Sequence, residues 1–263
     1  MKQKMIYACL LLGACVFAKA QPMSFANNQV VAHRGAFKAN RFPENSIASL
    51  REAIRLGCTG SEFDVRMTAD DSLIINHDEH HHDLEIEQTS FAQLSQFKLS
   101  NGEALPTLRQ YLLAGMTNNQ HTRLVLEIKP TGQGKERAVK MVDAVVKLVK
   151  ELKAEPWIVY ISFDYNMMLR LKQLVPQAPM QYLEGDKSPE ELKKDGIMGI
   201  DYHYSVFEKN PDWIRNARQL GMVLNAWTVN DADKMDWLLD QGFDFITTNE
   251  PELLLKKLKE RGK

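Results

Sequence analysis

Eight short β-prone runs alternate with amphipathic stretches along this chain of 263 residues, and that alternation leaves few folds open. The runs fall at about 29–34, 60–65, 123–129, 157–162, 180–184, 199–204, 222–228 and 243–248. Helical patterns follow at about 45–57, 106–116, 135–153, 165–175, 188–195, 211–220, 231–241 and 250–260. Strand–helix–strand units of this kind imply a parallel sheet covered on both faces. Eight of them imply closure into a barrel, for which ~250 residues is typical. The predicted fold is α/β, a single (β/α)₈ TIM barrel. An open doubly wound sheet is the alternative, and it is disfavoured because the charged motifs come from strands spread along the whole chain.

Local punctuation agrees with these boundaries. Ser188-Pro189-Glu190-Glu191 offers an N-cap with proline just inside the helix. Asp231 is placed to cap a helix that Gly242 closes, and Gly57 ends the first helix. No Gly/Ser linker, low-complexity tract or internal repeat interrupts the pattern.

One segment departs from a simple β–α unit. Leu73-Ile74-Ile75-Asn76-His77 is strand-like but follows Val65 too closely for a parallel crossover. With Ala69-Asp70-Asp71-Ser72 as the turn, it predicts an antiparallel hairpin rising from the second strand. Pairing Thr68 with Leu73 sets Asp64 opposite His77. Residues 78–105 then form an excursion over the barrel mouth before a helix that starts near Leu105-Pro106-Thr107.

The N-terminal segment reads as an export signal rather than as part of the barrel. Lys2 and Lys4 form a basic region, Ile6 to Phe17 an apolar one too short to span a bilayer, and Ala18-Lys19-Ala20 an A-x-A site. This divides the chain into a signal peptide, 1–20, and a TIM-barrel domain, 21–263, exported to the periplasm or secreted. Leu12-Gly13-Ala14-Cys15 supports a competing reading as a lipoprotein box, which would leave a lipid anchor at Cys15. Removing residues 1–20 takes Lys plus Arg from 33 to 30 against 34 acids, a net charge of −4. A mildly acidic domain has no electrostatic footprint for nucleic acid. Of three cysteines, only Cys58 remains after cleavage, and it reads as a small buried filler with no disulfide partner.

The chemistry gathers near strand ends, in Val30-Val31-Ala32-His33-Arg34-Gly35, Pro43-Glu44-Asn45-Ser46, Glu62-Phe63-Asp64, Asn76-His77-Asp78 and Leu126-Glu127-Ile128-Lys129. Glu62 and Asp64 are two apart and share a strand face, as do Glu127 and Lys129. Inward carboxylates side by side repel, and burial penalises each. A bound divalent cation removes both problems, and oxygen-only ligands favour Mg²⁺ or Ca²⁺ over zinc. The alternative is a set of ion-paired rim groups. Arg34 suits the grip of two phosphate oxygens, and Lys129 supplies further positive charge. Asp78 is positioned to orient a histidine. Asp201 and His203 share a face near a strand end and read as rim residues. His80-His81-His82-Asp83 reads as a solvated loop, since consecutive histidines cannot all face one ion.

This order of motifs resembles the glycerophosphodiester phosphodiesterase family, from Val30 to about Glu252. The resemblance implies metal-dependent hydrolysis of glycerophosphodiesters to sn-glycerol 3-phosphate and an alcohol, in phospholipid-derived glycerol metabolism. It implies His33 and His77 as the catalytic pair, with His77 as acid and His33 as base, and one cation held by Glu62, Asp64 and Glu127. Glu44 matches the glutamate of the family's Pro-Glu-Asn motif, which in some members also reaches the metal; on residue chemistry alone it is a helix N-terminal acid. Trp227, in the family's Trp-Thr-Val-Asn stretch, either walls the glycerol pocket or is a plain core tryptophan. Two departures stand out: Asp71-Ser72 replaces the usual glycine of the hairpin turn, and the pattern usual after His77-Asp78 is missing. Alternative functions are a phospholipase C-like reaction ending at a cyclic phosphate, and a periplasmic binding protein without activity.

Overall fold

A computed structural model describes residues 25–262. The predicted signal segment and Cys15 lie outside the described residues. Among the described residues there are eleven strands: β1 (Val30–Ala32), β2 (Gly60–Met67), β3 (Leu73–Ile75), β4 (His80–His81), β5 (Leu84–Glu85), β6 (Arg123–Ile128), β7 (Ile158–Ser162), β8 (Met180–Tyr182), β9 (Gly199–His203), β10 (Val223–Trp227) and β11 (Phe245–Thr248). Eight of them run in parallel in the order β1-β11-β10-β9-β8-β7-β6-β2, and pairing of β1 with β2 closes the ring. Closure excludes the open sheet and gives the expected (β/α)₈ barrel. All eight barrel strands fall where the β-prone runs predict them.

The outer ring follows from amphipathic spacing. The longest helix among the described residues, α4 (Lys135–Glu151), buries Ala138, Met141, Val142, Val145, Val146 and Val149. These recur every three or four residues, and each fully buried valine contributes about 1.5–3 kcal/mol. Ser46 caps α1 (Ile47–Leu56), which Gly57 ends at a φ of 72°. Ser188 and Glu191 form a capping box on α6 (Pro189–Lys194), and Asp231 caps α9 (Ala232–Asp240). Of the other helices, α3 (Leu108–Met116), α5 (Tyr165–Leu174), α8 (Pro211–Gln219) and α10 (Pro251–Glu260) match expected patterns. The short α2 (Phe91–Leu94) and α7 (Tyr204–Lys209) were not anticipated. No helix among the described residues is long and apolar enough to cross a membrane. Cys58 is fully buried, and burial pushes its thiol up to about 12, which suits an inert filler.

The hairpin exists, but its register differs from expectation. Met67 pairs with Leu73, Arg66 with Ile74 and Val65 with Ile75, one residue off. The cause is the turn. Thr68 N–H donates to Ser72 O, so the loop is the three residues Ala69–Asp71, with Asp71 at a φ of 65°. A three-residue loop ends on a left-handed residue, and aspartate tolerates that conformation where glycine is commoner. Asn76, not His77, therefore stands opposite Asp64, and its N–H donates to Asp64 O at 3.0 Å. A one-residue slip normally turns a side chain to the other face. Here β3 has already ended at Ile75, and the chain bends to bring His77 back to the mouth.

The excursion carries its own small core of Ile74, Ile86, Leu94 and Leu105. Its histidines are not uniformly solvated. His80 and His82 are exposed, but His81 is buried on β4 and lies edge-on to both Phe97 and His82.

Candidate active site

The site lies at the C-terminal end of the barrel, where the strand-end loops converge. Register sets the carboxylates together: Asp64 on β2 pairs with Glu127 on β6, and Glu62 projects from the same face two residues before. Oxygens of Glu62, Asp64 and Glu127 all lie within 4.8 Å of one another, and all three residues are buried. Among the described residues, no other cluster of this kind exists.

Such a cluster is electrostatically strained. Burial pushes Glu62 well above the usual carboxylate range, and the neighbouring Asp64 and Glu127 add to it. Glu127 is pushed up to about 7 by burial and Asp64, against the opposing pull of Lys129. Asp64 goes the other way, to about 2: burial alone would raise it, but Lys129, His77, Asn45 and Arg34 together outweigh that. Lys129 Nζ lies 2.8 Å from Glu127 and 3.3 Å from Asp64, so one ammonium serves two acids. Glu62 Oε1 is buried with no hydrogen-bond partner. An unpaired buried carboxylate oxygen beside two others is the donor set of a hard cation. Proton and cation compete for these oxygens, so cation affinity is expected to fall as the pH drops through about 7. Calorimetric titrations at several pH values read this directly, and binding should release protons to the buffer.

Arg34 is positioned by its backbone as much as by its side chain. It adopts a φ of 54°, followed by Gly35 at 80°. That turn points the Arg34 N–H at Glu62 Oε2, 2.8 Å away. Its guanidinium reaches Glu44 at 2.9 Å and Asp64 at 3.7 Å. Gly35 is required here because a Cβ would stand 2.4 Å from Ser49 Oγ and 2.6 Å from the Ser49 backbone. Gly35→Ala is expected to destabilise the protein by about 1–3 kcal/mol and to lower kcat/KM by displacing Arg34. Thermal unfolding and steady-state kinetics check the two effects separately.

Glu44 is the expected ligand that the structure does not gather with the trio. Its half-exposed carboxylate pairs with Arg34 instead. The next residue takes the inward position: Asn45, at a φ of 58°, donates from Nδ2 to Asp64 Oδ2 at 2.8 Å, and its Oδ1 accepts from Asp64 N–H.

The histidines are oriented by different partners. His33 Nδ1 meets Asn249 Oδ1 at 2.7 Å, which holds the proton on Nδ1 and leaves Nε2 basic and 3.9 Å from Glu62. Burial, with the charge of Arg34, lowers His33 to about 4. His77 Nδ1 lies 2.7 Å from Asp78 Oδ1, the orienting role foreseen for that acid, and Arg66 Nε holds the His77 carbonyl at 2.9 Å. A cavity of about 100 Å³ is lined by His33, Arg34, Glu62, His77, Glu127, Lys129 and Trp227, with Ile161, Phe163 and Leu183 on its far side. Trp227 meets Phe163 edge to face at 5.3 Å, and its indole N–H donates to Asp201 O at 2.8 Å.

The sequence model of the glycerophosphoryl diester phosphodiesterase family matches residues 33–253. The chain belongs to this family. It is 40% identical to a glycerophosphodiester phosphodiesterase from Parabacteroides distasonis, whose crystal structure superposes with a TM-score of 0.87 over 91% of this chain and 100% of that one. It is 26% identical to a glycerophosphodiester phosphodiesterase of Caldanaerobacter subterraneus, over 89% of this chain and 98% of that protein. A phosphodiesterase from Oleispira antarctica, solved with its product sn-glycerol-3-phosphate, is 25% identical with a TM-score of 0.75, over 88% of this chain and 96% of the other.

Two contributions of the family's fold were missed in the sequence. Asn249 follows the last strand directly, and its position at a strand end was the available signal. Asp201 is not a rim residue: it is 1% exposed, lines the cavity, and its carboxyl is pushed well up by burial and by Glu127.

Proposed function

We propose that this protein hydrolyses glycerophosphodiesters to sn-glycerol 3-phosphate and an alcohol, with one hard divalent cation, Mg²⁺ or Ca²⁺, held by Glu62, Asp64 and Glu127. The observation that carries the reading is the meeting of that buried trio, two histidines held by different partners and the basic side chains Arg34 and Lys129 in one small cavity. The bound cation would supply Lewis-acid charge at the phosphodiester. Arg34 and Lys129 hold the non-bridging phosphate oxygens and offset the charge that builds as phosphorus becomes five-coordinate. His33, with its proton fixed on Nδ1, takes a proton at Nε2 from the attacking water. The oxygen–phosphorus bond to the alcohol breaks, and His77, supported by Asp78, protonates the departing oxygen. Trp227 and Phe163 give the carbon chain an apolar wall.

The N-terminal signal pattern supports export, either as a soluble periplasmic or secreted enzyme or as a lipoprotein anchored at Cys15. Release of sn-glycerol 3-phosphate from a panel of glycerophosphodiesters, with and without EDTA, tests the activity. Turnover that stops at a cyclic phosphate would replace hydrolysis with the phospholipase C-like reaction, and binding without turnover would leave a carrier.

A further inference from the structure

We propose that Arg66 is a positioning residue that sets His77 against the acidic trio by holding its backbone. The inference rests on the function proposed above and adds to it the side chain that ties the excursion to the barrel.

Arg66 follows Asp64 by two residues on β2 and shares its face of the strand. It is 8% exposed. Burial penalises its charge, and Glu79, Asp64, Glu87 and Glu127 offset this only in part. Among the described residues it forms no ion pair, and its one hydrogen bond runs from Nε to the His77 carbonyl, 2.9 Å away. Arg66 is not among the residues that line the cavity, so its effect on the reaction has to pass through another group. The segment it holds has left the sheet. β3 ends at Ile75, and the last bond that continues its pairing with β2 is that of the Asn76 N–H with the Asp64 carbonyl. Beyond it, Asn76 Nδ2 donates to the carbonyls of Asp78 and His80, at 2.8 and 3.1 Å, and these bonds stay within the loop. Among the described residues, the bond from Arg66 is the one that ties the His77 carbonyl to a barrel strand.

A buried guanidinium whose only hydrogen bond goes to a neutral carbonyl is a costly way to fasten a loop. What it supplies is position. A charge-assisted bond is short and directional, and the planar guanidinium has little freedom once buried. Asp64 and Arg66 stand on one strand, whose rise fixes the distance between them. β2 therefore carries a member of the acidic trio and, two residues on, the clamp that decides where the imidazole lies relative to it. A misplacement of about 1 Å in a reacting group can cost ~10²-fold in rate. Arg66 also acts on the ring's other support. Asp78 is held below the usual carboxylate range first by its hydrogen bond with His77, and the charges of Arg34 and Arg66 add to this against the effect of burial. One side chain thus steadies the carbonyl of His77 and favours the ionised acid that orients its ring.

The test compares glycerophosphocholine with the analogue in which 4-nitrophenol replaces choline, on the wild type, Arg66→Met, Arg66→Lys, His77→Ala and the double variant Arg66→Met/His77→Ala. Nitrophenolate departs without being protonated, so its release does not call on a general acid. Methionine fills the space of the arginine stem without a charge or a donor. Arg66→Met should lose ~10–100-fold in kcat/KM on the choline ester and little on the nitrophenyl ester. Arg66→Lys, which keeps a charged donor, should recover part of the loss. In the His77→Ala background, Arg66→Met should cost nothing further, because the group it positions is gone. Cation affinity, read by calorimetry, should be unchanged in both Arg66 variants. Cation binding weakened in both, or losses on both esters that His77→Ala does not share, would mean a general structural role and overturn the proposal. Full additivity in the double variant would also overturn it, by placing the effect of Arg66 elsewhere than His77. If His77→Ala itself loses equally on both esters, the proposed acid role of His77 fails, while the double variant still decides the role of Arg66. A wild type that turns over neither ester sinks the proposed function itself, whereas turnover indifferent to Arg66 sinks this inference alone.

Discussion

Exhaustive chelation is expected to abolish turnover, and Mg²⁺ or Ca²⁺ to restore it. The reason lies in the trio: Glu62, Asp64 and Glu127 place buried oxygens within 4.8 Å of one another with only Lys129 and Arg34 to neutralise them. Without a cation, Glu62 and Glu127 relieve the repulsion by holding protons, and a protonated acid is a poor ligand. Asp64→Ala should eliminate tight cation binding and reduce kcat/KM by several orders of magnitude. It should not unfold the barrel, because Lys129 keeps Glu127 as a partner and Arg34 keeps Glu44. Calorimetry on the chelated variant and far-ultraviolet circular dichroism read the two effects. Undiminished turnover after chelation verified by elemental analysis would sink the assignment.

His33→Ala and His77→Ala should each lower kcat by ~10²–10⁴-fold, the usual contribution of a placed proton-transfer group. The two differ in origin. His33 is fixed by Asn249 and buried against Arg34, which keeps it neutral down to about pH 4 and therefore fit to accept a proton. In the folded state it binds a proton less readily than an ordinary histidine, so its contribution to stability is present above about 6.5 and is lost as the pH falls towards 4. His77 is held instead by the Asp78 carboxylate, 2.7 Å from its Nδ1, which orients the ring towards the cavity. Loss of either should remove one limb of a two-limbed pH–rate profile. His80→Ala and His82→Ala serve as controls and should change kcat little. His81→Ala should instead cost stability, because it removes a buried ring from Phe97. If His80→Ala or His82→Ala proved as damaging as His77→Ala, the division of labour among these histidines would be wrong.

The barrel was legible because period-2 and period-3.6 patterns alternate cleanly and because Ser188, Asp231 and Gly57 mark helix ends in ways that need no tertiary context. The inward-facing pairs Glu62/Asp64 and Glu127/Lys129 were legible for the same reason: strand alternation fixes a shared face. The hairpin register was not, because it turns on whether Ser72 belongs to the turn or to the strand, and that depends on Asp71 accepting a left-handed conformation. Glu44 and Asn45 show another limit. Spacing places both near the mouth, but only backbone torsion decides that the asparagine faces inward and the glutamate pairs with Arg34. Asp201 was undervalued because depth along a strand is invisible until the barrel is closed.

The attachment of His77 has a mechanical consequence. His33, Glu62, Asp64 and Glu127 sit on or beside barrel strands, and their positions cannot change without disturbing closure. His77 rides on an appended arm that has a four-residue core of its own. That arm can be rebuilt or exchanged between relatives while the cation-holding wall stays fixed. In the proposed reaction, with His77 serving the departing oxygen, change in that arm falls on the leaving-group side of the cavity and spares the wall that holds the phosphate.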